Sequence, residues 1–273
     1  MYLSLFSFFF NVYFYSMRPL AYIFLLPLFV LFFSSCQKEI SGEIARPTNT
    51  TGTGGTGGTG GSNFLVKTYT EDFTSASGNL KVTFDLSYDG SKRITSMISR
   101  TNAGDKFVYQ YGTNKYSSDL YNSNILSIHA DFYLNSMQLV DSIMQYNDTA
   151  DTTTNKFTYN AAKQPIRQNE YEVKNGISTL INTTSYVYDA NGNVLKEKGT
   201  DGETTYEYGT SLNTLNVGSI YFYTAKHLPK TTTIKGPNAG TITHTYTFDS
   251  SNRLTSEKAV FTNGDVAVKT YTY

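Results

Sequence analysis

Tyr186-Val187-Tyr188-Asp189-Ala190-Asn191-Gly192-Asn193-Val194-Leu195 holds a strand end, a turn and a strand start. Two tyrosines at alternate positions put both rings on one face of an extended chain, with Val187 on the other. Asp189 can bond its own backbone two residues on and so start a turn. Gly or Asn within the turn supplies a positive φ at little steric cost. An aliphatic residue then enters the next strand. The unit recurs at Tyr88-Asp89, Tyr159-Asn160 and Phe248-Asp249, each followed within a few residues by Ile or Leu, and more weakly from Tyr111, Tyr208 and Tyr223.

The paired aromatics repeat with it: Tyr109 and Tyr111, Phe157 and Tyr159, Tyr206 and Tyr208, Tyr246 and Phe248. The residues between them, Gln110, Thr158, Val187, Glu207 and Thr247, are mostly polar, so the opposite face is expected to be the wetter one. A second turn type lies between copies, at Asn175-Gly176, Asp201-Gly202 and Asn263-Gly264, the signature of short hairpins. Strands of roughly 6–11 residues joined by such local turns give an antiparallel meander. The stretch 136–146 has Leu139, Ile143 and Tyr146 at helical spacing, but a strand is the expected assignment there.

The fold class is therefore all-β: repeated antiparallel hairpins over residues 64–273. About 12–16 strands with one aromatic face and no helices to cover it do not stay flat. A curved sheet, half-barrel or barrel with the aromatics inside is expected, and truncating these aromatics should destabilise the domain. A lipid-facing barrel fits less well, because the alternate positions are rich in Thr, Ser and Asn and charges fall on both faces, as at Lys196-Glu197 and Glu257-Lys258.

The N-terminal part carries a different message. Residues 1–35 are almost wholly apolar, and Met17-Arg18 followed by Pro19 to Phe33 reads as the n-region and h-region of a secretory signal, with Met17 a candidate true start. Phe33-Ser34-Ser35-Cys36 resembles a lipobox, with Phe33 where an aliphatic residue is usual. Cys36, the one cysteine of the chain, is thus the expected lipidation site. Two or three acyl chains there would hold the protein stably on a membrane. Gln37 after it resembles sorting to the outer membrane, on its periplasmic or its extracellular face. Residues 36–63 form the anchor and a Gly/Thr linker expected to be flexible, with a mean span of roughly 25–30 Å.

Candidate chemistry is sparse. His129, His227 and His244 are too far apart in sequence to suggest a metal cluster, so no metal site is expected. Asp189, Asn191 and Asn193 imitate the start of a calcium loop but lack its later ligands, with Val194 and Thr200 at the deciding positions. Gly52, Gly54 and Gly57 match a dinucleotide motif without its strand and helix. No nucleophile motif occurs, and no catalytic residue or cofactor is expected. Lys+Arg and Asp+Glu balance at 22 each, with no basic stripe to bind nucleic acid.

The Tyr-Asp-x-x-Gly-Asn/Arg-Leu pattern over roughly residues 80–273 resembles the YD repeats of Rhs-type proteins. With the lipobox it is most similar to small YD-repeat lipoproteins of uncharacterised function in Gram-negative bacteria. In the large Rhs family such repeats build a shell around a toxin. This chain looks too short for that shell and has no toxin-like domain after the repeats. The expected function is a structural or binding role in the cell envelope without catalysis, the ligand being unknown. An envelope glycan or protein is a possible partner. Carbohydrate or peptide binding by a tyrosine row, or hydrolysis by distant paired carboxylates, are the alternatives. Two inward carboxylates about 5–10 Å apart in a cleft would favour the last.

Replacing Cys36 with Ala is expected to abolish palmitate labelling and to deplete the membrane fraction. Unchanged labelling in the variant would refute the lipoprotein assignment.

Overall fold

The structure, a computed structural model, describes residues 65–147, 152–215 and 225–273. The signal segment, Cys36, the Gly/Thr linker and Tyr223 lie outside the described residues. Sixteen strands follow one another: β1 (Thr68–Ser75), β2 (Gly78–Tyr88), β3 (Ile94–Ser99), β4 (Lys106–Tyr111), β5 (Lys115–Asn122), β6 (Ile125–Leu134), β7 (Val140–Asn147) and β8 (Thr152–Tyr159). The second half holds β9 (Pro165–Lys174), β10 (Ile177–Tyr188), β11 (Val194–Lys198), β12 (Glu203–Leu212), β13 (His227–Lys235), β14 (Gly240–Phe248), β15 (Leu254–Phe261) and β16 (Val266–Thr272). Each strand pairs antiparallel with the next, and β1 pairs with β16 to close a barrel. The all-β hairpin meander expected from the sequence is thus a complete barrel, with β7 extended where helical spacing had competed.

Strand alternation decides inside and outside. Along β14, Thr241, Thr243, Thr245 and Thr247 are exposed while Ile242, His244, Tyr246 and Phe248 are half-buried. The intervening residues Gln110, Thr158, Val187, Glu207 and Thr247 are all exposed, as expected. The aromatics point inward. Each even-numbered strand carries an inward pair, at or just past its end except in β12, which runs on to Leu212: Leu86/Tyr88, Tyr109/Tyr111, Phe132/Leu134, Phe157/Tyr159, Tyr186/Tyr188, Tyr206/Tyr208, Tyr246/Phe248 and Tyr271/Tyr273. Eight such pairs ring one end of the barrel. A round sixteen-stranded barrel leaves an aqueous channel. Here Phe84, Met97 and Phe132 are 0% exposed and Tyr116 stacks on Phe132 with ring centroids 4.3 Å apart, so the interior is filled where they stand.

All turns of the Tyr-Asp type lie at that aromatic end. In the β2–β3 turn, Asp89 Oδ1 accepts hydrogen bonds from the backbone N–H groups of Ser91 and Arg93, both at 2.9 Å. Asp189 and Asp249 repeat this geometry. Asn135 makes a further copy, bonded by Met137 and Leu139, that the sequence hides because Leu134 stands in the aromatic place. The positive φ expected on Gly or Asn is found at Gly192 and Asn252, but in the other copies another residue type carries it. It falls three residues after the Asp or Asn, on Lys92 (61°), Gln138 (60°), Lys163 (61°), Gly192 (87°) and Asn252 (58°). Gly or Asn is therefore not required, because the side-chain bonds of the capping Asp hold even lysine in the left-handed region. The opposite end uses tight hairpins, including Asn175-Gly176 and the unforeseen Ser123-Asn124, each with two positive φ angles.

Just past five of the Tyr-Asp-type turns the ladder slips by one residue. The shifts follow Ser87, Tyr133, Thr158, Val187 and Thr247. Such a bulge bends its strand and increases twist, which curls a meander toward closure. It also interrupts the ladder beside the first carbonyls of the odd strand. At four of the five, those at Val140, Pro165, Val194 and Leu254, a tyrosine hydroxyl from the following strand takes up such a carbonyl. Tyr88 and Tyr246 make the same bond away from these bulges. Tyr88 donates to Val66 O at 2.7 Å, Tyr188 to Pro165 O at 2.6 Å, Tyr208 to Val194 O at 2.9 Å, Tyr246 to Pro229 O at 2.6 Å and Tyr273 to Leu254 O at 2.9 Å. Tyr159 bonds Val140 O in the same way.

Replacing Tyr188 or Tyr246 with Phe keeps the ring and removes this bond, so each change should cost about 1–2 kcal/mol in a denaturant melt. Gly264 (φ 90°) has open space around its missing Cβ, so Gly264→Val should cost roughly 1–3 kcal/mol through backbone strain alone. Asn252→Gly, at an exposed position, should stay within about 0.5 kcal/mol, because Gly192 already holds the equivalent backbone conformation.

Candidate functional site

Below the aromatic ring the inner face turns polar on part of the wall. The sequence marks these residues by parity: each stands an even number of positions from an inward aromatic. Glu71 is two after Tyr69, and Lys269 is two before Tyr271. This signal is legible, but among so many Tyr and Thr positions the polar members were not singled out.

Glu71, Lys269 and Glu257 are in register on β1, β16 and β15. Two interstrand spacings put Glu71 and Glu257 roughly 10 Å apart at Cα, with Lys269 between them. Glu257 Oε2 accepts from Lys269 Nζ at 3.1 Å, and Oε1 lies 3.0 Å from His244 Nδ1. His244 Nε2 lies 3.1 Å from Thr232 Oγ1. Glu71 Oε2 accepts from the Tyr69 hydroxyl at 3.2 Å. Burial pushes the Glu257 carboxyl up, but the Lys269 charge and the His244 bond outweigh it and hold the group down at about 2. Burial raises Glu71, and Lys269 and Tyr69 only partly oppose it.

Two inward carboxylates with opposed shifts are the raw material of a glycosidase pair. The arrangement does not leave them free for that work. An ammonium occupies the space between them, and both oxygens of Glu257 are engaged. The chemistry on view is a buried ion network.

A second polar group lines β8 to β10. Gln168 Nε2 donates to Asn155 Oδ1 at 2.8 Å, and the Tyr186 hydroxyl donates to Gln168 Oε1 at 2.7 Å. Glu170, beside them, is 5% exposed and its nearest amide donor, Asn182 Nδ2, is 3.5 Å away. Burial lifts its carboxyl to about 7, the weak Asn182 bond opposing. On β11, Glu197 accepts from the Tyr206 hydroxyl at 2.9 Å.

The three histidines take separate places. His244 is on the inner face rather than the surface. His129 is on the outer wall, bridging Asp119 and Asp131, the latter also bound by Lys115 at 2.7 Å. The His227 ring contacts Asn193 Nδ2 at 3.1 Å, tying the β10–β11 turn to β13. Asp189, Asn191 and Asn193 form a turn: Asp189 Oδ1 bonds the backbone of Asn191 and Asn193, and Oδ2 bonds the Asn193 amide. Among the described residues no group of His, Cys, Asp and Glu could hold a metal ion. Of the aromatics expected in the core, Tyr186 is 5% exposed, and Tyr246 and Phe248 pack against the main apolar cluster. Cys36, the expected lipidation site, lies outside the described residues.

Glu170 sets a pH dependence. Its folded value lies above the ordinary carboxyl range, so the folded state holds a proton that the unfolded state has released. Stability from this group therefore falls as pH rises from about 4.5 to about 7. Glu170→Gln should remove that loss, and be more stable than the natural chain at pH 8 by on the order of 2 kcal/mol while matching it near pH 4. Denaturant melts at the two pH values check this.

No family model matches the chain, and no curated protein sequence matches it either. Solved structures do. A porin-like protein from Bacteroides uniformis ATCC 8492 superposes with a TM-score of 0.57 at 14% identity, covering 77% of this chain and 98% of that one. A porin-like protein from Bacteroides vulgatus ATCC 8482 gives a TM-score of 0.51 at 11% identity, with the same coverage. At such identity the likeness is one of fold: this chain is built as those closed barrels are.

Proposed function

We propose that this chain is a lipid-anchored protein of the bacterial outer membrane whose barrel stands outside the bilayer. Its role is structural or ligand-binding, without catalysis or a channel. The observation that carries the reading is the outer wall. Lys81, Asp85, Lys156, Arg167, Lys198, Glu207 and Lys258 are exposed strand residues between threonines and serines. A membrane-spanning barrel shows the reverse order, apolar outside and polar within, and a charge at the bilayer midplane costs about 2–4 kcal/mol. A barrel of this surface needs a tether to stay at a membrane, and Cys36 with its linker would supply one. The likeness to porin-like folds and the resemblance to YD-repeat lipoproteins both agree with an envelope location.

Binding of a ligand is the alternative within this reading, and the inner polar belt would supply its hydrogen-bonding groups. Amides and carboxylates backed by tyrosine rings suit a hydroxyl-rich ligand such as an envelope glycan. Pull-down with glycans and peptidoglycan is the screen.

Residues 64–273, made without the N-terminal segment, should remain soluble without detergent and raise no conductance in planar bilayers. Insertion with stepwise conductance, or solubility only in detergent, would replace this reading with a channel.

A further inference from the structure

The β9–β10 hairpin rises past its neighbour. β10 pairs with β9 from Ile177 onward, but with β11 only from Ser185 to Tyr188. The turn after β11 reaches back as far as Asn182, whose Oδ1 accepts from the Thr200 backbone N–H at 3.2 Å and from its hydroxyl at 2.9 Å. Beyond it, Ile177-Ser178-Thr179-Leu180-Ile181 has no strand on that side among the described residues. All five are exposed, Ile177 at 70%, Leu180 at 51% and Ile181 at 41%.

Strand edges of this kind are usually blunted by charge, proline or a bulge. From Ile177 to Thr184 the chain contains no charged residue, no proline and no glycine. One device is present: the register slips between Leu180 and Asn182, leaving Ile181 as the extra residue. The run before it, Ile177–Leu180, keeps a regular pairing with Lys174 to Tyr171 and so presents a straight free edge.

We propose that this edge is an interface between two copies of the chain, joined antiparallel at β10 to β10 about a two-fold axis. The unsatisfied backbone groups of a strand edge are matched by another strand. An identical strand is a suitable one here. With no charge on the segment, two copies meet without repulsion, and the contact is self-complementary and closes at two. Centred on Thr179, such a pairing sets Ile177 of each copy opposite Ile181 of the other on one face, and Leu180 opposite Ser178 on the other face. The contact is short, so the dimer is weak and rapidly reversible.

The test is cysteine cross-linking in the full-length chain. Thr179→Cys places a thiol at the centre of the edge, and Ser87→Cys, exposed on β2, serves as the control. Mild oxidation should give a disulfide band of twice the monomer mass with Thr179→Cys well above the control. Adding Leu180→Lys should cut that band about tenfold, the loss of 1.4 kcal/mol of association. Ile177→Lys, at the most exposed position, repeats the test should Leu180→Lys fail to fold. Cross-linking no greater than the control, dimer yield unmoved by lysine, or a cross-link to a protein of another mass would each overturn the proposal.

Discussion

The tyrosine hydroxyl that closes on a carbonyl of the preceding strand is the contact on which the rest of the barrel depends. Each bulge after a Tyr-Asp turn bends the sheet, and each interrupts the ladder where it does so. A meander that used bulges to curl without meeting that need would leave polar groups orphaned beside an apolar interior, at about 1–3 kcal/mol each. Tyrosine meets it from the neighbouring hairpin, with a ring that is also core. Burial and polar satisfaction thus come together in six tyrosines, Tyr88, Tyr159, Tyr188, Tyr208, Tyr246 and Tyr273. The arginines add a lateral stitch: Arg93 lies over the Tyr111 ring at 4.3 Å and Arg253 over Tyr273 at 4.6 Å.

The hairpin rhythm was legible because it is local. Alternating aromatics, an Asp or Asn and an aliphatic restart are enough to place Tyr88, Tyr159, Tyr188 and Phe248 at turn entries. Leu134 and Asn135 escaped because the same turn survives without its aromatic. The location of the positive φ escaped too, since bonds from Asp89 let Lys92 adopt it where sequence reasoning expects Gly. Closure itself depends on β1 meeting β16, a pairing between Tyr69 and Tyr271 that no local signal announces. The inner ion network was hidden for a related reason. Lys269 and Glu257 face each other within the β15–β16 hairpin, but Glu71 comes from the far end of the chain, and only the closing β1–β16 register brings it beside them.

Polarity and topology are separable properties here. The fold is that of the porin-like barrels, while the wall of this one carries threonines and charges outside and aromatics inside. In a bilayer, the solvent outside is hydrocarbon and the wall must be apolar. In water, the wall can be threonine and lysine, and the apolar residues turn inward. Large rings fill the interior where they stand, as the Tyr116–Phe132 stack does. In the polar belt Glu257 finds lysine and histidine partners and Glu71 and Glu197 find tyrosine, while Glu170, held only by the Asn182 amide, keeps its proton to about pH 7.

The seam has a further consequence. The Lys67 backbone N–H donates to Thr272 O at 2.7 Å, so the two ends of the barrel's chain lie side by side at the aromatic end. The Tyr273 hydroxyl latches onto Leu254 O beside the seam as other tyrosines do elsewhere, and the seam differs from the other junctions mainly in lacking a covalent turn. The ring therefore has no privileged starting point. A short bridge from Tyr273 to Leu65, with a new opening at the Asn175-Gly176 tip, would describe the same cylinder in a permuted order of strands.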